Sequence, residues 1–124
     1  MDSIGIRHVH LLVADRDRAR GFYRDAFGME LRFEDGAVAF LGTPGSDDSL
    51  ALHTAETEAE RARIGEQGGI VHFGIHLTDR SGAAVDAAVE RVLDAGGRLV
   101  ARGRHASGSD YAYVTDLDGY VIEL

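Results

Sequence analysis

The chain of 124 residues contains six histidines and no cysteine. A bound metal must therefore use His, Asp or Glu, and thiolate ligands, disulfides and cysteine nucleophiles are excluded. His8 and His72 stand out because each lies seven residues before an aspartate, in the matching runs His8-Val9-His10-Leu11-Leu12-Val13-Ala14-Asp15 and His72-Phe73-Gly74-Ile75-His76-Leu77-Thr78-Asp79. Near the other end, Glu123 sits between Ile122 and Leu124 in an apolar segment. It is either a frayed, exposed carboxylate or one that needs a partner. Two imidazoles and one carboxylate form a facial triad that leaves open positions on a divalent ion, the arrangement suited to Fe(II), Mn(II) or Zn(II). All thirteen basic residues are arginine, so Schiff-base lysine chemistry is also excluded.

The elements that must position these groups repeat as well. In both runs Val9, Leu11 and Val13, and Val71, Phe73, Ile75 and Leu77, alternate with the histidines, predicting two equivalent strands. Asp15 is placed to cap a helix whose apolar positions Ala19, Phe22, Tyr23, Ala26 and Phe27 end at Gly28. After Asp79 and Ser81, the positions Val85, Ala88, Val89, Val92 and Leu93 repeat the pattern up to Gly96-Gly97. Three short strands follow each helix, about 30–34, 37–42 and 50–54 in the first copy and 98–103, 111–115 and 120–124 in the second. Asp35-Gly36 and Asp118-Gly119 supply tight turns. The fold class expected is α+β, one domain over residues 1–124 made of two βαβββ modules forming a cupped mixed sheet with helices on its outer face. Module one spans 4–54 and module two 70–124, with a polar, acidic connector at 55–69 that has room for a helical turn.

Five histidines, His8, His10, His53, His72 and His76, are expected on strands, facing away from the helices. A solvated strand face is one reading of them. Ile6 and Leu12 share a face with His8 and His10, and Ile70 shares one with His72, which fits a half-apolar concave wall better. If the modules pair symmetrically, their first strands lie centrally and the last strand returns beside them, bringing His8, His72 and Glu123 together.

These residues carry a family resemblance over essentially the whole chain. The run His-Val-x-Leu-x-Val-x-Asp, the helix with Phe22-Tyr23 ending at Phe27-Gly28, and the terminal Asp116-Leu117-Asp118-Gly119-Tyr120-Val121-Ile122-Glu123-Leu124 resemble the vicinal oxygen chelate superfamily. That superfamily contains glyoxalases, extradiol dioxygenases, fosfomycin-resistance enzymes and bleomycin-resistance proteins. The resemblance implies metal ligands at His8, His72 and Glu123, with Fe(II) or Mn(II) favoured and Zn(II) or Ni(II) as alternatives. It also implies a small-molecule substrate and a homodimer, with the cup formed within one chain or shared between two. At the position matching Glu123 in the first module the chain has Ala51, where glyoxalase I-like members carry a second acidic ligand and proton shuttle.

The segment Gly103-Arg104-His105, Tyr113, Asp116, Gly119 and Glu123 is similar to the type I extradiol dioxygenase signature, with Ala112 for an aliphatic residue and Leu117 for proline. That similarity makes Tyr113 and His105 catalytic candidates, touching a substrate hydroxylate and the bound ring or oxygen. His10, His53, His76 and Tyr111 are substrate-pocket candidates. The favoured function is thus a metal-dependent, extradiol-dioxygenase-like cleavage of a catechol-like substrate. The alternatives are a metal-dependent lyase, isomerase or resistance transferase of the glyoxalase or fosfomycin-resistance type, and a non-catalytic drug-sequestering protein resembling bleomycin-resistance proteins.

Other classes are disfavoured. A formal charge of -8 repels nucleic-acid phosphates and anionic lipid, so neither nucleic acid nor membrane is expected as a partner. No apolar run approaches the ~20 residues of a membrane span, and Met1-Asp2-Ser3-Ile4 does not open a secretory leader, so a cytoplasmic protein is expected. Asp116-Leu117-Asp118-Gly119 does not make an EF-hand, because the glycine register puts the terminal acid beyond Leu124. The glycine-rich stretch 42–49 lacks the Lys-Ser/Thr ending of a phosphate loop.

Overall fold

The computed structural model describes residues 1–124. Module one runs β1 (His8–Val13), α1 (Arg16–Phe27), β2 (Glu30–Asp35), β3 (Val38–Gly42) and β4 (Ser49–Thr54). A short helix α2 (Glu58–Ala62) lies in the connector, and β5 (Phe73–Gly74), α3 (Gly82–Asp94), β6 (Arg98–Arg104), β7 (Asp110–Thr115) and β8 (Val121–Glu123) make module two. The two four-stranded sheets have the same order, β1-β4-β3-β2 and β5-β8-β7-β6. In each, the first strand pairs in parallel with the last and the rest pair antiparallel. The α+β architecture of two βαβββ modules is therefore as expected.

Local chemistry explains the element boundaries. The Asp15 side chain accepts from the amides of Asp17 and Arg18, and α1 stops where Gly28 turns left-handed at φ 70°. Ser81 caps α3 by accepting from the Ala84 amide. Both helices bury their apolar stripes, Ala19, Phe22, Tyr23 and Ala26 on α1 and Val85, Ala88, Val89 and Val92 on α3. Strand alternation sends Leu11, Val13, Leu41, Leu50 and Leu52 from module one, and Val114 and Ile122 from module two, into the same 17-residue core. Full burial of a side chain such as Ile122 contributes roughly 1.5–3 kcal/mol.

Three polar contacts pin the β7–β8 turn to module one. Tyr23 donates from its hydroxyl to Asp116 Oδ2 at 2.6 Å, deep in the core. Tyr120 donates to the Leu12 carbonyl at 2.6 Å, and Asp118 Oδ1 accepts from the Ala14 amide at 3.0 Å. Asp116 Oδ1 also accepts from the amides of Asp118 and Tyr120, so this buried carboxylate is fully engaged. Burial nevertheless holds its pKa above the ordinary carboxylate value, and burial followed by the Asp116 charge raises the Tyr23 phenol well above its own.

Module two departs from strict repetition at its first strand. Only Phe73 and Gly74 form a ladder with β8, so His72 and His76 flank the strand instead of lying on it. β8 has three residues; the Glu123 carbonyl accepts from the Ile75 amide on the β5 side, while Leu124 exchanges backbone hydrogen bonds with Ala112 on β7. Val71, expected on the buried face, is 78% exposed, and Ile70 and Ile6 are exposed as well. β1 and β5 are edge strands of their respective sheets.

Candidate functional site

Register confirms the equivalence read from the repeat. His10 pairs with Ala51 and Ala51 with Phe40, while Gly74 pairs with Glu123 and Glu123 with Tyr113. Ala51 thus occupies in module one the place of Glu123 in module two, and His8 and His72 stand two residues before the paired positions. Because paired residues share a face, Glu123 and Tyr113 project from the same side of the second sheet.

The sharpest cluster forms there. Glu123 Oε2 lies 2.8 Å from His72 Nε2, and its other oxygen, Oε1, lies 3.1 Å from His105 Nε2. The His72 ring meets Tyr113 at a centroid distance of 4.9 Å, and His105 meets Tyr111 at 4.3 Å. Tyr111 and Tyr113 are in turn 5.2 Å apart. Burial, then the negative charge of Glu123, raises the Tyr113 phenol above its usual pKa, keeping its proton available for donation. The Glu123 and His72 side chains are 26% and 28% exposed, so a small molecule has access to both. His105 reaches the cluster through a turn in which its amide bonds the Ser109 carbonyl and Gly108, at φ 95°, reverses the chain.

A second cluster lies in module one. His10 Nε2 is 3.1 Å from His53 Nδ1, and His53 Nε2 is 3.8 Å from Glu60 Oε2 on α2. Burial, followed by the neighbouring His53 and His8, lowers the His10 pKa. Glu60 is a partner that the sequence reading passed over. Its signal was the Thr57-x-x-Glu60 spacing of a capping box, which places a helix start beside β4.

The remaining candidates lie at cavity walls. His76 lines a cavity of about 240 Å³ with His105, Glu123 and Arg80. His8 and His76 line another of about 520 Å³ between β1 and the segment 73–76. His8 is exposed, and no side-chain hydrogen bond or ion pair joins it to His72 or Glu123. The structure therefore gathers His72, Glu123, His105, Tyr113 and Tyr111 at one place and His10 and His53 at another, with His8 beside His10 on β1 and not bonded to the Glu123 cluster.

The donor types at Glu123, imidazole nitrogen and carboxylate oxygen, are ones that a divalent ion accepts. Two imidazole nitrogens approach the two oxygens of one carboxylate, the mixed N/O set that Fe(II), Mn(II), Zn(II) and Ni(II) accept. The side chains stand as hydrogen-bonded pairs, and no group of three or more His, Asp or Glu residues is arranged as a coordination shell.

Two βαβββ modules carry a His/Glu cluster on one sheet face, and the family comparison is specific. The chain belongs to the Glyoxalase/Bleomycin resistance protein/Dioxygenase superfamily, whose model matches residues 5–124. Members of that superfamily typically bind divalent metals and small molecules and often dimerise. Among solved structures, the chain is similar to a possible glyoxalase from Bacillus cereus, with 25% identity, 98% of this chain and 97% of that chain covered, and a TM-score of 0.71. It is similar to a glyoxalase-related enzyme from Fulvimarina pelagi, with 21% identity, 98% and 86% coverage and a TM-score of 0.71. A lactoylglutathione lyase from Agrobacterium tumefaciens gives 24% identity, 98% and 92% coverage and a TM-score of 0.68. No curated protein sequence matches the chain. No helix is long and apolar enough to cross a membrane.

Proposed function

We propose that the chain is a divalent-metal-dependent enzyme acting on a small molecule that presents two neighbouring oxygens, with His72, Glu123 and His8 as the metal ligands. The observation that carries this reading is the 2.8 Å approach of His72 to Glu123, with His105 and Tyr113 beside the same carboxylate; His8 is included on the family resemblance. A metal bound there would polarise the chelated oxygens and stabilise the negative charge that develops on them. Tyr113, its proton retained by burial and by Glu123, donates a hydrogen bond to an anionic substrate oxygen. His105 contacts the ring or the second oxygen and carries a proton to or from it, while Tyr111 and His76 wall the pocket.

The favoured chemistry is extradiol-type cleavage of a catechol-like ring with Fe(II) or Mn(II), because His105, Tyr113 and Glu123 of the dioxygenase-like signature are the residues that meet. A glyoxalase-type isomerase or a fosfomycin-resistance-type transferase using Zn(II) or Ni(II) is the runner-up. Against glyoxalase-type isomerisation stands Ala51, which leaves no carboxylate in module one to shuttle a proton. A drug-sequestering role is favoured by the same alanine and by the fact that both Glu123 oxygens already face imidazoles.

Third-ligand geometry supports a homodimer. His8 stands on edge strand β1 and His72 beside edge strand β5, each preceded by exposed apolar residues, Ile4 and Ile6 in one module and Ile70 and Val71 in the other. Pairing these edges with a second copy covers that surface and brings a His8 to the Glu123 cluster. The test of the reaction is oxygen uptake by Fe(II)- and Mn(II)-loaded protein given catechol. Consumption of one O2 per ring opened, lost in Glu123→Ala, is expected. Metal-loaded protein that takes up no oxygen rejects the dioxygenase chemistry. Catechol binding that survives Glu123→Ala without turnover favours sequestration.

A further inference from the structure

The stretch Gly103-Arg104-His105 places a glycine inside strand β6, where it offers no side chain to pack and weakens the strand. Its backbone does not call for one. Gly108, in the turn that follows, sits at φ 95°, whereas Gly103 is not among the glycines with positive φ, so no left-handed geometry demands a glycine there. The reason is space. Gly103 pairs across the ladder with Tyr111 on β7, and a Cβ built on Gly103 would lie 2.6 Å from the Tyr111 hydroxyl oxygen, 2.7 Å from its Cζ and 3.1 Å from its Cε1. These are the three nearest atoms, so the Tyr111 ring occupies the place that a side chain at 103 would take.

Laid across β6 in this way, the ring meets the His105 imidazole at a centroid distance of 4.3 Å and an interplanar angle of 32°, and meets Tyr113 at 5.2 Å. The His105 side chain is 44% exposed, and what holds it is this ring together with Glu123 Oε1 at 3.1 Å. One hydrogen bond fixes a single atom of an imidazole and leaves the ring free to turn, whereas a neighbouring aromatic face fixes its plane. A methyl group at 103 would drive the Tyr111 ring into another rotamer, and with it would go the packing on His105. The ladder between β6 and β7 is untouched by that change, because the clash is with the ring and not with backbone atoms.

We propose that Gly103 is a positioning residue: its missing side chain lets the Tyr111 ring lie across β6, and that ring sets the plane of the His105 imidazole beside Glu123. The task His105 then performs rests on the function proposed above. The packing of Gly103, Tyr111 and His105 does not, so it can be tested without turnover.

Aromatic 1H–13C NMR of the metal-free full chain reads this geometry directly, because a stacked ring shifts the C–H signals of its neighbour upfield. In the wild-type protein the His105 signals lie upfield, and the Gly103 α-protons give a nuclear Overhauser effect to the Tyr111 ring. In Gly103→Ala the His105 signals move to the positions they take in Tyr111→Ala, while those of His10 and His53 on the other sheet stay in place. In Gly103→Ala/Tyr111→Ala they lie where Tyr111→Ala alone puts them, since the glycine acts only through the ring. His105 signals that remain upfield in Gly103→Ala overturn the proposal, as does a Gly103→Ala shift of the same size with and without Tyr111. A double variant that fails to fold also overturns it, because the glycine would then serve the backbone. Intact packing in a protein that never binds metal or turns over catechol would reject the proposed function and leave this inference standing.

Discussion

Tyr23→Phe removes one oxygen from the core and exposes how strongly the two modules depend on each other. The Tyr23 hydroxyl is the only donor to Asp116 Oδ2, at 2.6 Å, and Tyr23 and Asp116 are 0% and 4% exposed. Water cannot replace it without opening the core. A hydrogen bond to a charged group is worth about 1.5–3 kcal/mol, and the stranded carboxylate oxygen adds to the loss. Because Asp118 and Tyr120 still donate to Oδ1, the expected destabilisation is about 2–3 kcal/mol. With an unfolding entropy of about 2.1 cal/mol/K per residue, each kcal/mol lowers Tm by about 4 °C in a chain of 124 residues, so the drop is about 8–12 °C. Urea unfolding and calorimetry measure it. The loss should shrink in acid, where Asp116 is protonated and its oxygen no longer carries a charge. A change below about 0.5 kcal/mol at pH 7, the size of an ordinary surface substitution, would refute the claim that this contact joins the modules.

Asp116→Asn isolates the pH dependence of the same carboxyl. Its folded-state pKa is raised by burial, so the stability it contributes is fully present below the unfolded value of about 3.9 and is lost as pH rises through the folded value. Stability of Asp116→Asn relative to wild type should therefore improve with rising pH across that window, in paired unfolding titrations. Gly97→Ala should destabilise by about 1–3 kcal/mol, because its methyl would lie 2.4 Å from the Thr115 carbonyl oxygen and 2.6 Å from Val92 Cγ1; denaturant midpoints show it. Mixed dimers of His8→Ala and His72→Ala chains should regain part of the wild-type metal content if the site is shared between subunits. With subunit exchange verified, no recovery would place the three ligands in one chain.

Local signals in the sequence carried much of the fold. Asp15, Ser81 and Gly28 act within a turn of their own position, so the helices could be read residue by residue. The His-to-Asp spacing and the match of Ala51 to Glu123 survived because they follow from strand period alone. What depended on distant pairing was less legible. The extent of β5 depends on its pairing with β8, some fifty residues away in the chain. Tyr23 reads as one more apolar helix position and Asp116 as part of a turn, and their contact joins residues 93 apart. Glu60 looked like a solvated charge in an acidic connector, although its capping spacing marked the helix that turns it toward His53. His105, by contrast, was legible through its place in the dioxygenase-like segment, and the structure sets it against Glu123.

The central claim is a metal held through Glu123, and metal content per chain tests it most directly. Protein purified without added chelator or metal, together with Glu123→Ala and His72→Ala, would be assayed by elemental analysis before and after anaerobic incubation with Fe(II), Mn(II), Zn(II) or Ni(II). Close to one divalent ion per chain in the wild-type protein, lost in both variants, is the result the account predicts. Wild-type protein that takes up none of the four ions, or variants that retain the metal, would contradict it.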